Sequence, residues 1–185
     1  MILSAQSIRA LQPVIPFFEQ TSFQGMTFGL GPNGYDIRIA EDLIIKSGEV
    51  ALASSIERFY LPSDVMARVS DKSTWARRFL SVFNTTIDAG WAGFLTLELV
   101  NHSKETILIN SGSPIAKIIF ERLDQPTVLP YSGKYQNQSP GPQEAQLELS
   151  IRTRSDVLHI IRQESDEYAC MCGMRWDVAE GEEHP

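Results

Sequence analysis

The chain has 185 residues, 43% apolar and 21% charged, which is enough for one domain with a real core and unlike a disordered chain. Its net charge of −7 and pI near 5.0 exclude a general nucleic-acid or anionic-membrane binder, because both need a basic surface; a small polyanion needs only a few local cations. No apolar run reaches membrane-spanning length, and no basic segment precedes an apolar one at the N-terminus, so a cytoplasmic protein without membrane partners is expected.

In chain order, Met1 to Gln12 predicts a short helix with Ile2, Leu3, Ile8 and Leu11 on its buried side, ended by Pro13. Phe17 to Asp36 is rich in Gly, Pro and Asn and predicts loop and turn. Short strand-like runs follow: 35–39, 43–45, 50–53, 59–61, 67–69, 94–101, 106–109 and 115–123. They are separated by turn signals such as Lys46-Ser-Gly48 and Asn110-Ser-Gly112. Many short strands at close spacing predict a mainly β sandwich, barrel or jelly roll. Lys72 to Arg78 predicts a single helical turn within it. Pro130 to Pro142 is polar and Gly/Pro-rich and predicts a loop or mobile arm.

Beyond it, Arg152 to Glu167 predicts an amphipathic helix, with Val157, Ile160, Ile161 and Glu164 at helical spacing and Ser155-Asp156 as N-cap. The organisation is therefore a β domain over 1–143 and an extension over 144–185. Cys170 and Cys172 cannot staple a fold. With His184 as the nearby histidine they are short of ligands for zinc, so two reduced thiols are expected.

Three segments carry candidate chemistry. In Phe94-Leu-Thr-Leu-Glu-Leu-Val, Leu95, Leu97 and Leu99 share one face of a strand and Thr96, Glu98 and Val100 the other. Periodicity alone allows Glu98 to be a solvated strand charge or a catalytic carboxylate. "SDKSTWARRF" (70–79) packs Lys72, Ser73, Thr74, Arg77 and Arg78 into a tight turn. It suits phosphate oxygens, and equally a solvated surface turn. "PYSGKYQNQSPGP" (130–142) sets Lys134 among Tyr131, Tyr135, Gln136 and Gln138, which suits folding over a polar ligand or serving as a linker.

The ordered set "DKSTWAR", "TTIDAGWAGFLTLELVNHS" and "PYSGKYQNQ", with "MILSAQSI" and "GYDIRI" before it, resembles the dCTP deaminase family of the trimeric dUTPase-like superfamily, from Met1 to about Gln143. The resemblance implies a distorted β-barrel or jelly roll and a homotrimer with active sites between subunits. It also implies hydrolytic deamination of dCTP to dUTP and ammonia, with Mg2+ bound through the triphosphate and no zinc. By position, Glu98 matches the general base on the attacking water, and Ser73 and Arg77 the residues that place water and base. Lys72, Ser73 and Thr74 match the phosphate turn. Asp88 and Trp91 match contacts to deoxyribose and base, and Tyr131, Lys134 and Gln138 the segment closing over the triphosphate.

The chemistry is consistent. Zinc deaminases carry H-x-E and P-C-x-x-C, and this chain has neither, so a protein base must activate the water. Departures from the family pattern are Asp71 before the basic residue, a short "FLSVFNTTI" segment where members respond to dTTP, and Ala89 in "IDAGW". Alanine there also occurs in bifunctional members that proceed to dUMP. A catalytically silent nucleotide-binding module is the alternative from another class. The family pattern offers no counterpart for the 144–185 tail.

Overall fold

The N-terminal stretch divides in two. Ile2 bridges to Glu121 as a β-contact and is half exposed, while helix α1 covers only Ala5–Leu11, with Ile8 fully buried. Gln12 closes the helix in a left-handed conformation, directly before Pro13. The structure is a computed structural model describing residues 1–146 and the backbone of residues 167–169 and 175–177. Two units divide the chain, Met1–Glu144 and Ala145–Pro185.

In the first unit β1 (Val14–Ile15) is followed by β2 (Thr21–Phe23) and β3 (Met26–Gly31), a hairpin where composition predicts loop. Its turn, Gln24-Gly25, has φ of 50° and 76°, the paired positive values that match strand twist in a two-residue hairpin. "TSFQGMTFGLG" lacks apolar alternation, so these strands give no periodic signal. Next come β4 (Gly34–Arg38), β5 (Leu43–Ile45) and β6 (Val50–Tyr60). β6 is one strand where the apolar pattern predicts two. Ser54, Ser55 and Glu57 in its middle are buried but polar. The register against the later strand β10 (Ala92–Asn101) shifts there, and the Ser55 hydroxyl accepts the Leu95 N–H (2.9 Å) and donates to the Glu57 carbonyl (2.7 Å).

The remaining elements are β7 (Val65–Asp71), α2 (Ser73–Ala76), β8 (Leu80–Val82), β9 (Thr86–Ile87), β11 (Ile107–Ile109) and β12 (Pro114–Arg122). Three sheets result, ordered β1-β6-β10-β8, β11-β5 and β2-β3-β4-β12-β7-β9. They curl into the mainly β, distorted barrel expected from the sequence. Its core is filled from both larger sheets by Tyr35, Ile37, Phe59, Leu97, Ile118 and Phe120. A charge pair is sunk in the wall at Glu57. Glu57, fully buried, accepts the Arg38 Nε–H (2.8 Å) and the Arg38 backbone N–H (2.9 Å), and the Arg38 guanidinium also lies over the rings of Phe18 and Phe28.

In Ala145–Pro185 the described backbone is an antiparallel pair, β13 (Glu167–Ala169) and β14 (Arg175–Asp177), with Tyr168 opposite Trp176. The helix predicted over 152–167 lies outside the described residues, except Glu167, which is in β13. Cys170, Cys172 and His184 lie outside them too.

Candidate active site

β10 follows the strand period. Leu95, Leu97 and Leu99 are buried in the core, and Thr96, Glu98 and Val100 lie half-buried on the outer face. Glu98 stands directly opposite Leu52, and Val100 opposite Val50. Both partners are apolar and exposed, Leu52 at 40% and Val50 at 73% of its surface, and Phe83, whose N–H donates to the Glu98 carbonyl, is 56% exposed. Glu98 Oε2 is fully buried and makes no hydrogen bond among the described residues. Loss of solvent raises the Glu98 pKa above the ordinary carboxylate value, partly opposed by its own backbone N–H. A carboxyl with a raised pKa and an uncommitted oxygen can take a proton from water and return it.

Ser73, Thr74 and Arg77 are exposed on and beside α2, whereas Lys72 is buried at the base of the turn. The Lys72 ammonium is bound to Asp36 Oδ2 at 2.7 Å, and Lys117 Nζ lies 3.1 Å from Oδ1 of the same carboxylate. Asp36 was not singled out in the sequence; with a partner 36 positions away, no local spacing could reveal it. Asp71, awkward beside a phosphate cradle, is turned to another task, since its Oδ1 accepts the Val82 N–H at 2.9 Å. Arg77 donates to the Ser73 carbonyl (3.2 Å) and lines a cavity of about 500 Å3 with Arg78, His102 and Lys104. His102 shares a hydrogen bond with the Ser81 hydroxyl at 2.8 Å. No hydrogen bond or ion pair joins Glu98 to Ser73 or Arg77 among the described residues, and Arg77 is not among the causes of the Glu98 shift. Within one chain Arg77 and Ser73 are joined to each other but not bonded to Glu98.

The 130–143 arm, in contrast, is seated on β10. Tyr131 N–H donates to the Ala89 carbonyl, Asn137 N–H to Ala92 and Phe94 N–H to Gln138, all at 2.8–3.0 Å. The Gln136 amide accepts the Ala92 N–H (2.9 Å) and donates to the carbonyls of Gly90 (2.9 Å) and Tyr131 (3.1 Å). Trp91 is buried, tilted against Phe59, and its indole N–H donates to the Tyr135 carbonyl at 2.7 Å. It therefore ties core to arm. Gln138 Nε2 donates to the Thr96 hydroxyl, two residues from Glu98 on the same face, and Lys134 Nζ lies 5.4 Å from the centre of the Tyr135 ring. Asp88 is exposed, its carbonyl accepting the Trp91 N–H. The structure thus brings Gln138 to the Glu98 strand, and Trp91 and Tyr131 to the turn that leads into it. It also adds Thr96 and Gln136, whose significance lay in face-sharing with Glu98 and in the arm's amide content.

A family model described as dCTP deaminase-like matches residues 32–123. A dCTP deaminase of Pyrococcus horikoshii is 33% identical over 151 residues, covering 74% of this chain and 92% of its own length; one of Thermococcus sibiricus is likewise 33% identical over the same shares. Among solved structures, the 2'-deoxycytidine 5'-triphosphate deaminase of Agrobacterium tumefaciens shares the fold. Its TM-score is 0.55 at 20% identity, covering 65% of this chain and 48% of that one. At the identity and coverage of the Pyrococcus and Thermococcus relatives, the chain belongs to the dCTP deaminase-like family.

Proposed function

We propose that this protein deaminates dCTP to dUTP and ammonia, with Glu98 as the general base. The observation that carries the reading is the buried, unpartnered Glu98 Oε2 on an outer face of exposed apolar side chains. A surface strand carboxylate would point both oxygens into water; this one is held with one oxygen dry. Relatives named dCTP deaminase supply the substrate class.

In the proposed reaction the carboxylate takes a proton from water as its oxygen bonds to C4 of the cytosine. The proton passes to N3, and C4 becomes tetrahedral. Glu98 then takes the proton of the new C4 hydroxyl and passes it to the amino group, so that the C4–N4 bond breaks as the C4 carbonyl forms and ammonia leaves; dCTP and water give dUTP and ammonia. Glu98, its pKa raised by burial, is suited to both halves of that transfer. The triphosphate carries Mg2+ as part of the substrate, since that ion favours phosphate oxygens and water over an all-protein cage. Ser73, Thr74 and the Lys72 charge receive the phosphates, Asp88 and Trp91 lie toward the sugar and base, and Tyr131, Lys134 and Gln138 close from the arm.

The active assembly is a homotrimer in which Ser73 and Arg77 of one copy reach Glu98 of another. Support comes from the absence, among the described residues, of any hydrogen bond or ion pair from Glu98 to Ser73 or Arg77 and from the exposed Val50, Leu52 and Phe83 around Glu98, apolar surface that a second copy would cover. Ala89 favours a second reading, a bifunctional enzyme continuing to dUMP and pyrophosphate. Chromatography of nucleotides after incubation with dCTP and Mg2+ decides between them. Accumulating dUTP with ammonia and no pyrophosphate is the expected result; dUMP with equimolar pyrophosphate establishes the second reading; unchanged dCTP, with nucleotide binding retained, overturns both in favour of a binding module.

A further inference from the structure

The outer edge of β10 is served by two different partners. β8 pairs only with its far end, Leu99–Asn101, while the arm pairs with its near end, where Gly93 bridges to Gln138 and the Phe94 N–H donates to the Gln138 carbonyl. Between these two stretches lie Thr96 and Glu98, sharing one face. Thr96 Oγ1 accepts two hydrogen bonds from the arm, one from the Gln138 side-chain amide and one from the Gln143 backbone N–H at 3.0 Å. One hydroxyl therefore fastens both ends of the 138–143 segment. An amide nitrogen carries two hydrogens, so the bond to Thr96 fixes the plane of the Gln138 carboxamide without exhausting its donors.

We infer that Thr96 is a positioning residue for the nucleotide site: its hydroxyl holds the arm closed on the Glu98 face before substrate arrives, and orients Gln138 toward it. The role in turnover rests on the reading of Glu98 given above; the anchoring does not. An arm ordered in advance loses less conformational freedom when it meets the triphosphate, so the anchor acts on binding more than on the chemical step. The Glu98 carboxyl gains a wall on one side as well, because the segment fastened at Thr96 lies two residues away along the strand.

The test is Thr96→Val, which keeps shape and removes the acceptor, with Thr96→Ser as the conservative control. Hydrogen exchange of the nucleotide-free protein is expected to show amides of 136–143 exchanging about tenfold faster in Thr96→Val, while amides of Leu97 and Leu99 stay protected. Thr96→Ser should hold wild-type exchange. In turnover, KM for dCTP should rise about tenfold with kcat within about threefold, and recover in Thr96→Ser. Unchanged arm exchange in Thr96→Val overturns the anchor, and equal loosening in Thr96→Ser, which keeps the hydroxyl, overturns it by showing that the hydroxyl alone does not hold the arm. A protein whose arm loosens as expected but which never consumes dCTP sustains the anchor and overturns the reading of Glu98.

Discussion

Glu98 and Glu57 are both carboxyls whose pKa burial raises, yet the fold treats them in opposite ways. Glu57 is paired in full with Arg38, and its role is structural. Removing it by Glu57→Ala leaves the Arg38 guanidinium buried without its partner, and should cost on the order of 3–5 kcal/mol in denaturant-induced unfolding. Glu98 has no such partner. Because burial raises its folded pKa above the unfolded value, its contribution to stability is full at pH below the unfolded carboxylate's pKa, about 4.3, and is lost as pH rises through the folded value. Glu98→Gln abolishes that loss. At pH 7 the variant should therefore melt no lower than the wild type, the gap closing toward pH 4, while kcat falls by about 10²–10⁴ with dCTP still bound. The acid limb of the wild-type rate profile should lie above the ordinary carboxylate range, because the base must be ionised to act. A variant less heat-stable at neutral pH, or a limb near pH 4, would contradict the environment assigned to Glu98.

Among the elements, legibility followed apolar patterning. β10 could be read directly, since Leu95, Leu97 and Leu99 alternate with half-exposed residues and do point inward. β6 could not be read whole, because Ser54, Ser55 and Glu57 interrupt the apolar run while being buried through hydrogen bonds that sequence does not display. The β2–β3 hairpin was hidden by glycines and phenylalanines without alternation. For the candidate site, the order of three motifs marked Glu98, the α2 turn and the arm, but not their mutual placement. The Lys72–Asp36 bond and the seating of the arm on β10 are long-range facts. The close approach of that seat is measurable at Gly93, where φ is 149° and an added Cβ would lie 2.7 Å from the Gln138 nitrogen. Gly93→Ala should therefore displace the arm. Limited proteolysis should cut within 133–143 faster than in the wild type, with β10 intact; equal cleavage would mean the arm is held elsewhere.

At the scale of the molecule, an acidic chain carries cations on the segments proposed to meet the triphosphate: Arg77, Arg78 and Lys104 around one cavity and Lys134 on the arm, while Lys72 at the turn is paired with Asp36. Glu98, the proposed base, makes no hydrogen bond or ion pair with these groups among the described residues and lies on a face with exposed Val50 and Leu52. On the proposed reading the deaminase site is completed only between two copies of the chain. That reading is tested most directly by mixing two inactive variants, Glu98→Gln and Arg77→Ala, after co-refolding or co-expression, and measuring ammonia and dUTP formed from dCTP. Random assembly of equal amounts leaves about a quarter of the interfaces with both native residues, so about a quarter of wild-type activity should return. A mixture as inactive as its components would contradict a site shared between copies.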